Sequence, residues 1–363
     1  MTERLDDPAA YAGGDPRKFG ELIRGFAGQI ADAARLAEGL SVEGPPPRAL
    51  LVLGMGGSAA AGDLVQGLCH EAAPFPVEVL RGYTVPAWVG PDTLVVASSY
   101  SGQTEETQAA FEAARRRGAR SVVLSSGGAL AERARREGLS WVQLPSGFPP
   151  RAALAFLLMP LVVLLDRWRA VPGGSAAREE EVRVLAALGG ELAPEVPAAE
   201  NPAKALAATL AGRLPVVYGT DLTGPVAHRW RTQLEENAKV LALSGVLPEM
   251  NHNAIEAWGA DADSARAVVI LRDPGEHPRV ARRAVLTRAI LEARAPVREV
   301  WARGEGRLAR LLSLVLVGDW TSYYLAVLRG VDPWAVETLE TFKRRMAEGP
   351  GATARRGSGA EMP

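Results

Sequence analysis

Cysteine is almost absent. Cys69 is the only one in 363 residues, which excludes an intrachain disulfide framework and a thiolate metal cluster and fits a reducing, cytoplasmic compartment. Net charge is missing as well: 41 Lys plus Arg nearly cancel 42 Asp plus Glu, which argues against nucleic acid or an acidic membrane surface as partner. The chain also lacks a bilayer-length apolar run. The longest, AALAFLLMPLVVLL (Ala152 to Leu165), has 14 residues with Pro160 inside it, where a span needs roughly 20, so it reads as a buried helix. The N-terminus MTERLDDPAA is acidic and polar, unlike a signal peptide. Four histidines (His70, His228, His252, His277) lie far apart, with no H-E-x-x-H or paired-aspartate motif, so no metal is expected. Lysine is scarce too, at four (Lys18, Lys204, Lys239, Lys343) against 37 arginines; any single arginine is therefore weak as a signal.

What is present is repetition of one plan. The length suits two α/β domains of about 150 residues each. ALLVLG, VEVLRG, TLVVASS, SVVLSS and WVQLP read as short strands by β-branching and by their Gly or Ser boundaries, with helical stretches such as TEETQAAFEAARRRG and ALAERARREG between them. Strand, helix, strand in succession implies a parallel sheet with helices on both faces, and ligands in such sheets sit at the carboxyl ends of the strands. A second set follows: LPVVYGT, a helix GPVAHRWRTQLEENAKVLAL, ARAVVILRD, a helix near Arg279 to Arg294, VREVWA, and a helix LARLLSLVLVGDWTSYYLAVL. The expected organisation is an N-terminal domain over 1–170, a linker with a surface helix over 171–203, a C-terminal domain over 204–347, and a disordered tail over 348–363, which holds almost nothing to bury.

Two loops carry the chemistry of the first half. LLVLGMGGSAAAGDL puts Gly54, Gly56, Gly57 and Ser58 where a strand turns into a helix; glycines let a backbone approach an anion, and helix N-terminal amides carry partial positive charge. Gly54, Gly56 and Ala59 also match a dinucleotide fingerprint, a weak signal alone. The second loop, SSYSGQTEET, ends another strand and offers the hydroxyls of Ser99, Ser101 and Thr104. Two such loops side by side suit one phosphate monoester. A nicotinamide dinucleotide would want an acidic residue closing the second strand, where Arg81 stands. The plainer alternative is helix capping, with Ser101 as N-cap and Glu105 or Glu106 completing a box; it needs only one hydroxyl.

GMGGSAAAGD with SYSGQTEET is similar to the sugar isomerase (SIS) domain, whose Ser/Thr loop grips the phosphate of a phosphosugar. GFPPRAALAF, LEENAK, NHNAIEAW and SYYLAVLRGVDPWAVETLETFK, in that order over about Gly54 to Lys343, resemble the bifunctional phosphoglucose/phosphomannose isomerases. The resemblance implies two SIS-type, flavodoxin-like domains, each a parallel sheet flanked by helices. It further implies a homodimer with the active site at the subunit interface, and cofactor-free, metal-free interconversion of fructose 6-phosphate with glucose 6-phosphate and mannose 6-phosphate. By motif, Gly57, Ser58, Ser99, Ser101 and Thr104 would hold the phosphate, and Arg151 would sit over the reacting carbons. Glu236 would be the base, His252 of the neighbouring subunit would assist ring opening, and Lys343 would complete the site.

The residue types suit that chemistry. A carboxylate moves a proton between C1 and C2, a histidine works near neutral pH, and a preorganised cation stabilises a developing enediolate. Glu236 shares a helical row with Arg229, Gln233, Val240 and Leu243, polar at one end and apolar at the other, while Glu235 points about 100° away and reads as a surface charge. Lys343, in LETFKRRM, reads equally well as a helix C-terminal charge. Two rivals stand beside the isomerase: a non-catalytic phosphosugar-binding or sensor SIS protein, and an NAD(P)-dependent oxidoreductase. The 48 residues before the first strand are too short and acidic to supply a DNA-binding helix-turn-helix.

Overall fold

A computed structural model describes residues 2–172, 178–260 and 265–348. Residues 349–363, where the sequence implies a disordered tail, lie outside the described residues.

Period-two alternation in the strands dictates the layering. β1 (Ala49–Leu53), β2 (Val77–Leu80), β3 (Thr93–Ser98), β4 (Arg120–Ser125) and β5 (Ser140–Gln143) form one parallel sheet in the order β2-β1-β3-β4-β5. Leu50, Val52, Leu94, Val96, Val122 and Leu124 face inward; Leu51, Leu53, Val95, Ala97 and Val123 face outward onto the helices Glu105–Arg116 and Gly128–Glu137. β6 (Leu214–Gly219), β7 (Leu243–Val246), β8 (Arg266–Arg272) and β9 (Val297–Trp301) form the second parallel sheet, in the order β7-β6-β8-β9. Its inner face is Val217, Ala267, Val269 and Leu271. Its outer face, Val216, Tyr218, Val268 and Ile270, packs on Met250, Trp258 and the helix Pro278–Glu292.

Between the sheets lies one continuous core built from the helices Gly56–Cys69, Leu154–Asp166, Gly224–Ala238 and Arg307–Arg329. Leu154–Asp166 is apolar on all sides because it is buried on all sides, from Leu154 through Leu165. Each Leu or Val enclosed this way contributes about 1.5–3 kcal/mol over leaving it in water. Arg307–Arg329 is long and apolar enough to cross a membrane by composition, yet nearly all of it is enclosed in this core. Cys69 is enclosed too, and burial pushes its thiol up to about 12.

Two expectations need correction. The helix expected over residues 224–243 ends at Ala238, because Lys239 takes a left-handed conformation (φ 55°, ψ 40°), and the chain then forms the edge strand β7. The helix over 178–191 is not merely a surface helix, since Leu185 and Leu188 enter the core. The N-terminal residues form the helices Pro8–Gly14, Phe19–Arg24 and Phe26–Ala37, and Phe19, Ile23, Phe26 and Ile30 join the central core. Asp15 fixes this segment, accepting from the amides of Phe19 (2.7 Å) and Gly20 (2.9 Å) and from the Tyr323 hydroxyl (3.1 Å).

Candidate active site

In the first sheet the chain leaves β1 toward β2 on one side and β3 toward β4 on the other, so the strand order, though not the strand direction, reverses between β1 and β3. Such a reversal opens a crevice at the carboxyl ends of the two strands, and both Ser/Gly loops end there.

After β1, the helix Gly56–Cys69 begins without a side-chain cap, so its first amides are not tied up by a neighbouring hydroxyl. Gly57 is required by a close approach: a Cβ there would lie 2.8 Å from the Pro150 carbonyl oxygen and 3.1 Å from the Arg151 Cα. The Ser58 hydroxyl is buried and accepts from the Tyr100 amide (3.3 Å), linking the two loops. After β3, the Ser99 and Thr104 hydroxyls bond each other at 2.9 Å, and the Ser101 hydroxyl accepts from the Gln103 amide at 3.2 Å. The capping box is not formed: the N-cap position is Thr104, not Ser101, and it makes no side-chain cap bond because its hydroxyl turns to Ser99. Gly102 has φ 66°, and a Cβ there would stand 1.9 Å from the Gly127 carbonyl oxygen, so only glycine fits. Arg81, at the end of β2, is paired with Asp63.

A Cβ added at Gly67 would lie 3.2 Å from Pro225 Cγ, so the start of the helix Gly224–Ala238 meets the end of Gly56–Cys69. The two run antiparallel, which brings Glu236, in the last turn of one, toward Gly57, in the first turn of the other. Arg151 joins them. It lies in the short 3-10 turn Pro150–Ala152, not in the apolar helix that follows, and is 3% exposed. Its Nε donates to Asn237 Oδ1 (2.6 Å), Nη2 to the carbonyls of Pro333 (2.5 Å) and Trp334 (3.1 Å), and Nη1 to Glu236 Oε2 (3.4 Å). Its guanidinium carbon sits 5.2 Å from the Phe19 ring centroid. Burial pulls Arg151 below the ordinary arginine value, opposed by the charges of Glu236 and Asp332.

Behind this pair is a buried polar row. Arg229 donates to both Asp319 oxygens (2.9 and 2.8 Å) and to the Arg151 carbonyl (3.1 Å); Gln233 donates to Asp319 (2.9 Å), and Asn237 to Ser322 (2.9 Å). The row facing Arg307–Arg329 is thus Arg229, Gln233 and Asn237, with Glu236 beside it and not on it, and the helix stops at Ala238, so the row does not run on to Val240 and Leu243. Glu236 is partly exposed, while Glu235 pairs outward with Arg231 (3.1 Å). Lys239 closes the helix end. Its ammonium donates to the carbonyls of Glu236 (2.6 Å) and Asp332 (3.0 Å), and partial desolvation at these contacts, followed by repulsion from Arg151, takes it down to about 8. Arg17 bonds Asp332 (2.8 Å) and lies 5.2 Å over the Trp334 ring.

Two expected site residues are not brought to Arg151 and Glu236 within one chain. His252 is exposed at the end of the 3-10 turn Glu249–His252, which packs on the outer face of the second sheet, opposite the helix that carries Glu236. Asn251 bonds Thr287 (2.7 Å) and Asn253 bonds Glu249 (2.8 Å), so neither asparagine neighbour is spent on the imidazole. Glu256, four residues past His252 and placed to orient it only if the segment were one helix, lies beyond a break at Asn253 (φ −148°), outside the turn that ends in His252. Lys343 lies on the exposed helix Glu337–Ala347, which buries none of its residues. No cluster of three or more His, Cys, Asp or Glu side chains placed to hold a metal ion occurs among the described residues.

Sequence reasoning did not find Arg17, Phe19, Asn237, Lys239, Asp319 or Ser322. Only Asn237 left a readable signal, as the third member of an i, i+4 polar row after Arg229 and Gln233.

Known proteins place this geometry. Residues 46–137 match the SIS domain family, and residues 199–346 match the family described as bacterial phospho-glucose isomerase C-terminal SIS domain. A bifunctional phosphoglucose/phosphomannose isomerase of Caldicellulosiruptor bescii is 35% identical over 90% of this chain and 98% of its own. The chain belongs to the bifunctional phosphoglucose/phosphomannose isomerase family. A member from Aquifex aeolicus is 36% identical over 90% of this chain and 97% of its own. The crystal structure of a glucose-6-phosphate isomerase like protein from Thermus thermophilus superposes with a TM-score of 0.59 at 26% identity, covering 92% of this chain and 99% of that one.

Proposed function

We propose that the chain is a sugar-phosphate isomerase that interconverts glucose 6-phosphate and mannose 6-phosphate with fructose 6-phosphate through a cis-enediolate. The observation that carries the reading is the meeting of three elements: a two-loop phosphate cradle, a buried guanidinium and a partly exposed carboxylate, at the facing ends of two antiparallel helices. The resemblance to the isomerases named above supplies the substrates.

In this reading the substrate phosphate occupies the cradle of Gly57, Ser58, Ser99, Ser101 and Thr104, where helix N-terminal amides favour a dianion. With the phosphate fixed, the sugar extends toward Arg151 and Glu236. The partner subunit's His252 protonates the ring oxygen as the C1–O5 bond breaks, and the anomeric hydroxyl proton returns to the imidazole, leaving the open aldehyde. The Glu236 carboxylate takes the C2 proton of the open aldose; the C2–H electron pair becomes the C1–C2 double bond, and the aldehyde oxygen becomes an enediolate oxygen. Arg151 faces that oxygen with Nη1, its one terminal nitrogen not committed to a backbone carbonyl, and stabilises the charge. The C2 hydroxyl proton passes to the C1 oxygen, Glu236 returns its own proton to C1, and the C2 oxygen becomes the ketone. Abstraction from either C2 epimer gives the same enediolate, so one base serves both aldoses.

A homodimer is part of this proposal, because within one chain the second sheet separates His252 from Glu236. Lys343, on the helix that follows the Pro333–Trp334 segment holding Arg151, completes the site in this reading. A cytoplasmic setting fits the single, enclosed thiol and the phosphosugar substrates. The test is isotopic: fructose 6-phosphate formed from either aldose in deuterated water should carry deuterium at C1 at the level set by exchange on Glu236, and unreacted aldose should gain it at C2 on reversal. Full retention of the original hydrogen with no solvent label would replace the enediolate with hydride transfer.

A further inference from the structure

Lys239 has no part in the chemistry above, yet its geometry singles it out. It is one of four lysines and sits in a left-handed backbone conformation (φ 55°) unfavourable for a residue with a Cβ. That conformation turns its side chain back over the helix end, so the ammonium reaches the Glu236 carbonyl (2.6 Å), the Asn237 carbonyl (3.4 Å) and, across the crevice, the Asp332 carbonyl (3.0 Å). The two residues after Asp332 are the ones whose carbonyls hold Arg151 Nη2. A single strap, residues 332–334, therefore ties both functional side chains. Arg151 grips it through Pro333 and Trp334, and the turn bearing Glu236 grips it through Lys239.

We propose that Lys239 is a positioning residue for the isomerisation, locking the Glu236 turn to the 332–334 strap so that the carboxylate and the Arg151 guanidinium face the same carbons. The inference rests on the functional reading above. The cationic form does the locking, since an ammonium has three donors for three carbonyls, whereas the neutral amine has two and no charge. Lys239 is exposed as a residue, but partial desolvation of its ammonium where it meets the strap takes it down to about 8, with Arg151 and Arg17 repelling it and Asp332 and Glu236 attracting it from the elements packed around it. The lock is therefore closed below about pH 8 and opens as pH rises through that value.

The experiment compares wild type, Lys239→Met and Lys239→Arg by steady-state kinetics with glucose 6-phosphate from pH 6 to 10. Both variants keep the same left-handed strain and differ in charge. For Lys239→Met, kcat should fall about ten- to a hundredfold at pH 7, while KM changes by less than about threefold because the phosphate cradle is untouched. Wild-type kcat should decline above about pH 8. Lys239→Arg should restore most of kcat and carry its activity past pH 9, because a guanidinium does not titrate there. Lys239→Met with wild-type kcat, or Lys239→Arg with the wild-type alkaline decline, would overturn the inference alone. A wild type that turns over no aldose phosphate at any pH would overturn the functional reading and this inference with it.

Discussion

Asp319 supports the site from behind, and replacing it by asparagine isolates that role. The carboxylate accepts two bonds from Arg229 (2.8 and 2.9 Å) and one from Gln233 (2.9 Å), with Arg229 1% exposed. Asparagine keeps the size, removes the charge and presents an NH2 group to donors. A buried cation losing its partner costs about 3–5 kcal/mol; at roughly 2 °C per kcal/mol for a chain of this length, Asp319→Asn should melt about 6–10 °C below wild type. Activity should fall as well, because the Arg229 nitrogen that pairs with Asp319 also holds the Arg151 carbonyl (3.1 Å). The assay is calorimetry alongside kcat. Pairing Arg229→Met with Asp319→Leu separates the two effects: an apolar pair of similar volume should recover most of the melting temperature without restoring kcat, since nothing then anchors Arg151 from behind. An Asp319→Asn protein that melts within about 2 °C of wild type would refute the argument.

Two further perturbations follow from the same structure. Gly102→Ala places a methyl 1.9 Å from the Gly127 carbonyl at φ 66°, so the Ser99–Thr104 loop must shift; KM for phosphosugar should rise about tenfold or more, and inorganic phosphate should protect against heat less well than it protects wild type. Glu181 is 0% exposed, neither of its carboxylate oxygens has a hydrogen-bond partner among the described residues, and burial raises it to about 7 from an ordinary 4.5. Its folded-state value lies above its unfolded one, so the stability it contributes is complete below about pH 4.5 and lost as pH rises through 7. The decline in melting temperature between pH 5 and 8 should therefore be shallower in Glu181→Gln than in wild type, and an equal or steeper decline would contradict this sign.

The parts of the fold that were legible in sequence are those written in short-range pattern. Alternating Leu50–Leu51–Val52–Leu53 announces a strand covered on both faces, and the glycines and hydroxyls after β1 and β3 announce loops built for close approach to an anion. What was not legible depends on contacts between residues far apart in the chain. Lys239 looked like one more residue of a continuing helix, since nothing local requires a left-handed turn there; its partner is the Asp332 carbonyl, 93 positions away. Phe19 and Arg17 sit in a segment that had only its acidity and brevity to be judged by, and they matter because Asp15 docks that segment on Tyr323, 308 positions away. The polar row was half visible, as Arg229 and Gln233, but Asp319 and Ser322 are hidden inside an apparently apolar helix, where only the facing helix explains them.

The central claim is that Glu236 is the proton-transferring base of an aldose-ketose isomerase. The measurement that tests it most directly is fructose 6-phosphate formation from glucose 6-phosphate and, separately, from mannose 6-phosphate, with EDTA present, comparing wild type with Glu236→Gln. The account predicts turnover of both sugars by wild type and a fall in kcat of about a thousandfold or more in the variant, while fructose 6-phosphate still protects the variant against heat. Equal turnover by the two proteins, or ligand protection of a wild type that turns over neither sugar, would contradict it.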